Sequence, residues 1–511
     1  MILRFNLFHV FLGFIVLSQI NPIFDFKVSA DESLKIELNE ELKKGNFLIG
    51  LKQYLGGKND SFSKNNINFS TKKSFLNLKS SNGIEHKSKK IKIVWKELPI
   101  KNSYTRERLI FGPFSSYESA QKQANQLKEK GFDAKIAYPN DWEVWIPHTN
   151  SFPDNKLKYK KFKRIYKTQI TPFLVNEFTS QKLEGPISLS SDDEIYINDL
   201  SYGNKFYLVQ DLYGTWTLVQ KIKFDNYLEG VLPYEIGANS PLEALKAQAV
   251  IARTWAIYNS ERFSMDKYHL CITTQCQVYK PTQAVSKKVK KAITETSNLI
   301  ITYKNKPINS FYHGSNGGIS AAASESWKIE NYPYLKIKMD GPKSLNKSLK
   351  FQILDKFQLN KFLDYDNSQF FGSSHSLFRW DKKISSLKIV ESLINNKVIN
   401  KIGTIKDLYV SERGLSGRAT KLEIKMENFE DSIVLVKDDI RRILSFLPSN
   451  LFTIDKLNND LWLFRGGGFG HGVGLSQSGA IEMAKLGFTY EQILNHYYQG
   501  TKIRNIEILS Q

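Results

Sequence analysis

Four stretches of this 511-residue chain hold residue types that could do chemistry. The first runs Val231-Leu232-Pro233-Tyr234-Glu235-Ile236-Gly237. Glu235 stands among apolar neighbours, and an apolar surround disfavours the carboxylate, so such a group keeps its proton closer to neutrality. A carboxyl of that kind suits general-acid work on a glycosidic oxygen; a plain surface glutamate is the competing reading. The second is Arg465-Gly466-Gly467-Gly468-Phe469-Gly470-His471-Gly472-Val473-Gly474, six glycines in ten residues. It lacks Gly-Lys-Ser/Thr, which argues against a nucleotide-binding loop. Its glycines let backbone come close to a ligand or to another segment, and His471 is either a donor to a substrate oxygen or a hydrogen-bonded turn residue. The third, His269-Leu270-Cys271-Ile272-Thr273-Thr274-Gln275-Cys276-Gln277-Val278-Tyr279, contains both cysteines of the chain. A local disulfide, a zinc site using Cys271, Cys276 and His269, and two free thiols all fit that spacing. The fourth, Tyr312-His313-Gly314-Ser315-Asn316-Gly317-Gly318, is a turn-rich loop that either lines a groove or simply closes a hairpin.

The elements that must hold these residues are partly visible. Ser240 as N-cap, Pro241 at the first helical position and Glu243 in a capping box predict a helix just after Glu235. Leu245, Ala249, Ala252 and Ala256 share one face of it. A second helix is expected from near Ser476, and Thr489 with Gln492 caps a last one ending around Tyr498. Upstream, strand-like Ile91–Trp95 and Arg108–Phe111 precede a helix capped by Ser115 and Glu118 and stopped by Gly131. Phe132–Ala137 and Glu143–Ile146 complete a β–α–β pattern.

Composition narrows the class. Lys and Arg number 72 against 51 Asp and Glu, a net charge of +21. Such a balance favours nucleic acid, membrane surfaces or acidic wall polymers as partners, or a merely solvated basic surface. Residues 1–30 read as a signal peptide or membrane anchor: Arg4, an apolar run Leu7–Leu17, then Val28-Ser29-Ala30. No apolar run of 18 residues lies further on, which argues against a polytopic membrane protein. Export removes nucleic acid as a partner and leaves membrane contact to the N-terminal segment. The expected domains are 31–90, a polar low-order linker; 91–150, the small β–α–β module; and 205–505, the larger domain, with an insertion at 344–400.

Taken together, the four stretches resemble the SpoIID/LytB family. Val231 to Glu235 with Glu243-Ala244-Leu245-Lys246-Ala247-Gln248-Ala249-Val250 and Ala252-Arg253-Thr254 carries the most distinctive part. Cys276-Gln277-Val278-Tyr279, Ser315-Asn316-Gly317-Gly318 and Gly470-His471-Gly472-Val473-Gly474-Leu475-Ser476-Gln477 follow in the family's order. The resemblance implies an α+β fold, a mixed sheet with packed helices, and a lytic transglycosylase acting on peptidoglycan glycan strands stripped of their peptides. Glu235 aligns with the catalytic glutamate and Arg253 with a substrate-contacting arginine; Gln277, Tyr279, Ser315, His471 and Gln477 fall in the matched motifs and are expected to bind substrate. Other members are amidase enhancers, so a glycan-binding activator of a cell-wall amidase is the alternative. No cofactor is expected: some members bind zinc near the third stretch, but here Gln275 stands where those have histidine. Residues 112–134 also resemble part of a SPOR domain, a family that binds peptide-stripped glycan.

Overall fold

A computed structural model describes residues 38–57, 65–147, 157–281, 285–348, 353–427 and 429–506. The expected signal segment, 1–30, lies outside the described residues. Among them, no helix is long and apolar enough to cross a membrane.

The larger core is built on a seven-stranded sheet. Its order is Leu270–Cys271, Asn46–Leu55, Trp216–Lys223, Lys205–Gln210, Ile187–Ser190, Leu76–Ser80 and Glu85–Ser88. Three of these strands come from the stretch expected to be a low-order linker at 31–90. Phe47, Ile49 and Leu51 alternate into the core with the period of a strand, and the opposite face is covered too, through Leu48 and through Gly50 against Tyr268. Averaging over the polar run that follows hides that alternation, so the linker expectation is corrected. Asn46–Leu55 pairs antiparallel with Trp216–Lys223 and parallel with Leu270–Cys271, which makes it an interior strand beside the sheet's edge.

Against this sheet lie the helices Phe224–Leu232 and Leu242–Tyr258. The second has Pro241, not Ser240, as its extended N-cap; the Ser240 hydroxyl instead donates back to the Ile236 carbonyl at 2.7 Å. The helix is buried on more than the one face its pattern indicated. Leu245, Ala249, Ala252 and Ala256 join the sheet core, while Ala247, Val250 and Ile251 join a second core with Phe311, Trp327 and Tyr498. Five alanines let backbone and neighbours approach from both sides, at little entropic cost to the helix.

The β–α–β unit forms, with the helix Tyr117–Glu129 capped by Ser116 rather than Ser115. It is not a freestanding module. Its strands belong to an eight-stranded sheet built around Lys90–Phe114, which pairs along most of its length with Lys160–Val175. The helix is tied to the larger domain by a buried ion pair, Arg262 Nη2 to Glu118 Oε1 at 2.6 Å. Beyond residue 343 the chain builds a third body on two three-stranded sheets, Trp380–Ser385 with Leu461–Gly466 and Phe452–Asn458, and Ile405–Arg413 with Ala419–Met426 and Ile433–Val436. This body runs past the expected insertion at 344–400 and returns the chain as the glycine-rich loop.

Candidate active site

Glu235 sits on a single wide helical turn, Pro233–Gly237, that continues from Phe224–Leu232. Gly237, at φ +89°, ends the turn in a conformation L side chains avoid. The turn projects the half-buried Glu235 into a cleft of about 750 Å³. Three parts of the molecule wall this cleft: the β–α–β unit through Ser116 and Trp142, the larger domain through Glu235 and Tyr312, and the third body through Arg441 and the loop at His471.

The carboxyl is held by neutral donors. The Val278 N–H donates to Glu235 Oε1 at 2.8 Å, and the Tyr312 hydroxyl and Gln477 amide also bond to it. Burial raises its pKa above the ordinary carboxyl range; the three hydrogen bonds pull the other way without cancelling that effect. Two other carboxylates of the cleft pair with arginines, and the third, Asp438, is held through Oδ2 while its Oδ1 is buried without a partner among the described residues. Glu118 pairs with Arg262, Asp141 with Arg442 at 3.5 Å, and Asp438 accepts from the Ser116 and Ser119 hydroxyls at 2.6 and 2.9 Å.

Behind Tyr312 stands a chain of hydrogen bonds. Gln277 Nε2 donates to the Tyr312 hydroxyl at 3.0 Å, and Gln277 Oε1 accepts from the Tyr227 hydroxyl at 3.1 Å. Fully satisfied buried networks of this kind fix the orientation of the group they end on. Gln277 thus orients the acid from behind and does not line the cleft. The turn bearing Gln277 and Val278 is anchored by a Cys271–Cys276 disulfide, one of the three readings open for that pair. The zinc candidates are therefore engaged elsewhere. His269 accepts from the Leu48 N–H at 2.8 Å through Nδ1, and its Nε2 lies 3.1 Å from the Leu38 carbonyl. Burial presses its pKa down to about 4, so it acts as a neutral pin on the strand Asn46–Leu55.

Of the expected substrate contacts, Gln477 and His471 line the cleft. His471 is not a free donor, however. Its Nδ1 accepts from the Val473 N–H at 3.1 Å, and the ring also bonds to the Tyr312 backbone, closing the glycine-rich loop onto the Tyr312 strand. Burial, with Arg441 and Arg418 nearby, pushes its pKa down to about 3. The glycines serve that closure. A Cβ at Gly472 would meet the Arg418 guanidinium at 2.3 Å, and one at Gly474 the Phe311 carbonyl oxygen at 2.0 Å.

Three expectations are corrected. Arg253 is fully buried and faces away from the cleft. Its Nη1 donates to the carbonyls of Thr296 and Leu299 at 2.8 and 2.9 Å, and its Nη2 pairs with Asp225 at 3.1 Å. Tyr279 is a core residue: it stacks on Tyr227 at 5.4 Å, donates to Gln220 Oε1 at 3.1 Å, and packs so close to Gly230 that a Cβ there would lie 2.4 Å from the ring. Ser315 is buried and pairs through its backbone with Phe469, at 3.0 and 2.7 Å, which holds the glycine-rich loop in register. Sequence reasoning passed over Tyr312 although it opens a stretch singled out for its turn residues. It also missed Arg441 and Arg442, which no local motif marks.

Residues 213–303 match the family model described as Stage II sporulation protein, and residues 321–474 match a domain of unknown function. An uncharacterized protein of Brachyspira hyodysenteriae is 28% identical over 383 residues, covering 71% of this chain and 90% of its own. The Amidase enhancer of Bacillus subtilis is 30% identical over 296 residues, 54% of this chain and 40% of that protein, so the chain spans less than half of that relative. The Stage II sporulation protein D of Bacillus subtilis is 29% identical over 301 residues, 56% of this chain and 75% of that protein. The segment that carries Glu235, the helix Leu242–Tyr258 and the disulfide turn is therefore a domain of the SpoIID family.

Proposed function

We propose that the protein is an exported peptidoglycan lytic transglycosylase with Glu235 as its acid and then its base. The observation that carries this reading is Glu235 itself: a carboxyl in the cleft, held by neutral donors, its pKa raised by burial, with no cation among the described residues committed to it. Hydrolytic glycosidases use two carboxylates because water must be activated. In the transglycosylase reaction the nucleophile is the C6 hydroxyl of the muramic acid whose C1–O bond breaks. Glu235 gives its proton to the glycosidic oxygen, which leaves as the C4 hydroxyl of the next sugar. The resulting carboxylate takes the proton of the C6 hydroxyl as O6 bonds to C1. A 1,6-anhydromuramic end forms, no water enters, and Glu235 finishes protonated. Because the nucleophile is part of the substrate, the entropic cost of recruiting it is avoided.

The alternative is a glycan-binding activator of a cell-wall amidase, favoured by the name of the Bacillus subtilis relative. Digestion of purified, peptide-stripped peptidoglycan, read by mass spectrometry, separates the two. Anhydromuramic ends with the parent protein and none with Glu235→Gln are the expected result. No cleavage by either, with glycan pull-down intact in both, would sink the enzyme reading in favour of the activator.

A further inference from the structure

The cleft contains an arginine without a counter-ion. Arg441 lies on the short helix Asp438–Ile443 of the third body and lines the same cleft as Glu235. Among the described residues its side chain makes no hydrogen bond and no ion pair, and its Nε is buried without a partner. The cleft's other arginines are matched: Arg262 with Glu118, Arg442 with Asp141 and Ser115. Asp438, one turn before Arg441, accepts from Ser116 and Ser119 through Oδ2; among the described residues its Oδ1 is buried without a partner and makes no ion pair with Arg441. The groups that feel the Arg441 charge are themselves basic: His313, His471 and Arg418. Arg418 in turn donates to the Ser416 hydroxyl and the Asn316 carbonyl. His313, also in the cleft wall, bonds through Nδ1 to the Val473 carbonyl at 3.1 Å and has a buried Nε2 without a partner.

The Arg441 side chain is partly exposed, with its Nε buried and unpaired, and a guanidinium drawn that far from water without a partner is costly to keep in a folded protein. Its five donors in a planar fork match a carboxylate, which can accept two of them at once. Resting on the glycan reading of the cleft, we infer that Arg441 forms an anion subsite for the lactyl carboxylate of muramic acid, the group set free when the stem peptide is removed. The domain of unknown function at 321–474 then supplies substrate selectivity to a cleft whose acid comes from the SpoIID domain. Arg441 takes over the role that the sequence had suggested for Arg253.

The test measures binding in the Glu235→Gln background, so that no cleavage intervenes. Two soluble glycan oligomers of equal length are compared: one peptide-stripped, one with its lactyl carboxyls converted to neutral methylamides. The carboxylate form should bind at least about tenfold more tightly, the scale of one charge-assisted hydrogen bond. Adding Arg441→Gln should bring that ratio close to one, whatever absolute affinity remains. Arg441→Lys should recover part of the ratio. A ratio unchanged by Arg441→Gln overturns the subsite and leaves the glycan reading standing. No binding of either oligomer overturns both.

Discussion

The position of Arg253 permits a sharp distinction between a substrate contact and a structural one. Its guanidinium closes the turn after the helix Lys287–Glu295 by donating to the Thr296 and Leu299 carbonyls, and it holds the helix Phe224–Leu232 through Asp225. Asp225 also accepts from the Ser297 hydroxyl at 2.7 Å, so one side chain links three helical segments. In Arg253→Lys a single ammonium cannot span the fork. It cannot replace both Nη1, which serves the two carbonyls, and Nη2, which serves Asp225, so one side of the fork loses its charged donor, at a cost of about 1–3 kcal/mol. Arg253→Met leaves both carbonyls and the aspartate behind. Breaking a buried pair outright costs about 3–5 kcal/mol, and the partial exposure of the Asp225 side chain puts this case toward the lower end. Urea denaturation should show the midpoint falling with the slope unchanged, Met more than Lys. At temperatures where both variants remain folded, their affinity for peptide-stripped glycan should match the parent's. A Lys variant whose stability lies within about 0.5 kcal/mol of the parent, but whose glycan affinity drops tenfold, would refute the structural assignment.

Two further outcomes follow from buried carboxyls. Tyr312→Phe removes a hydrogen bond that favours the ionised form of Glu235, so the Glu235 pKa should rise further, its acidity falling about tenfold or more. The alkaline limb of the pH–rate profile should then move to higher pH, with the same change seen by carbon NMR of labelled glutamate; a limb that stays put or moves down contradicts the network. Asp266 is buried, accepts from the Tyr213 hydroxyl at 3.0 Å, and has its pKa raised to about 8 by burial and by repulsion from Asp211. A raised carboxyl keeps its proton in the folded state while the unfolded chain has lost it, so parent stability should fall as pH climbs from about 4 to 8, by up to ~1.4 kcal/mol per pH unit. Asp266→Asn has no such proton to lose, and its stability relative to the parent should be greater at pH 8 than at pH 5 by about 1 kcal/mol or more. An equal difference at the two pH values counts against the assignment.

The features legible along the chain are those written in short-range spacing. Thr489 and Gln492 form the expected capping box, and Ser476 caps the helix Gln477–Lys485. A cap needs only residues within one turn of each other, so sequence carries the whole signal. Glu235 was legible for the same reason: an acid on the turn before a helix, among apolar neighbours. Where a cap was misjudged, at Ser240 and Ser115, the error was one residue: Ser116 takes the capping role beside Ser115, while Pro241 starts its helix with no side-chain cap.

What a charged side chain does was decided only when distant segments met. Arg253 and Arg441 look alike in sequence. One finds its partners 28, 43 and 46 positions away and becomes part of the scaffold; the other is carried into a cleft where it pairs with none of the described carboxylates. The strand Asn46–Leu55 shows the same dependence. Its alternation is local, but its place inside a sheet, paired on both sides, comes from pairing with residues 216–223 and 270–271. Residue type and spacing set what each group is able to do. Burial and the supply of partners, which depend on the packing of the whole chain, set which of those abilities remains free.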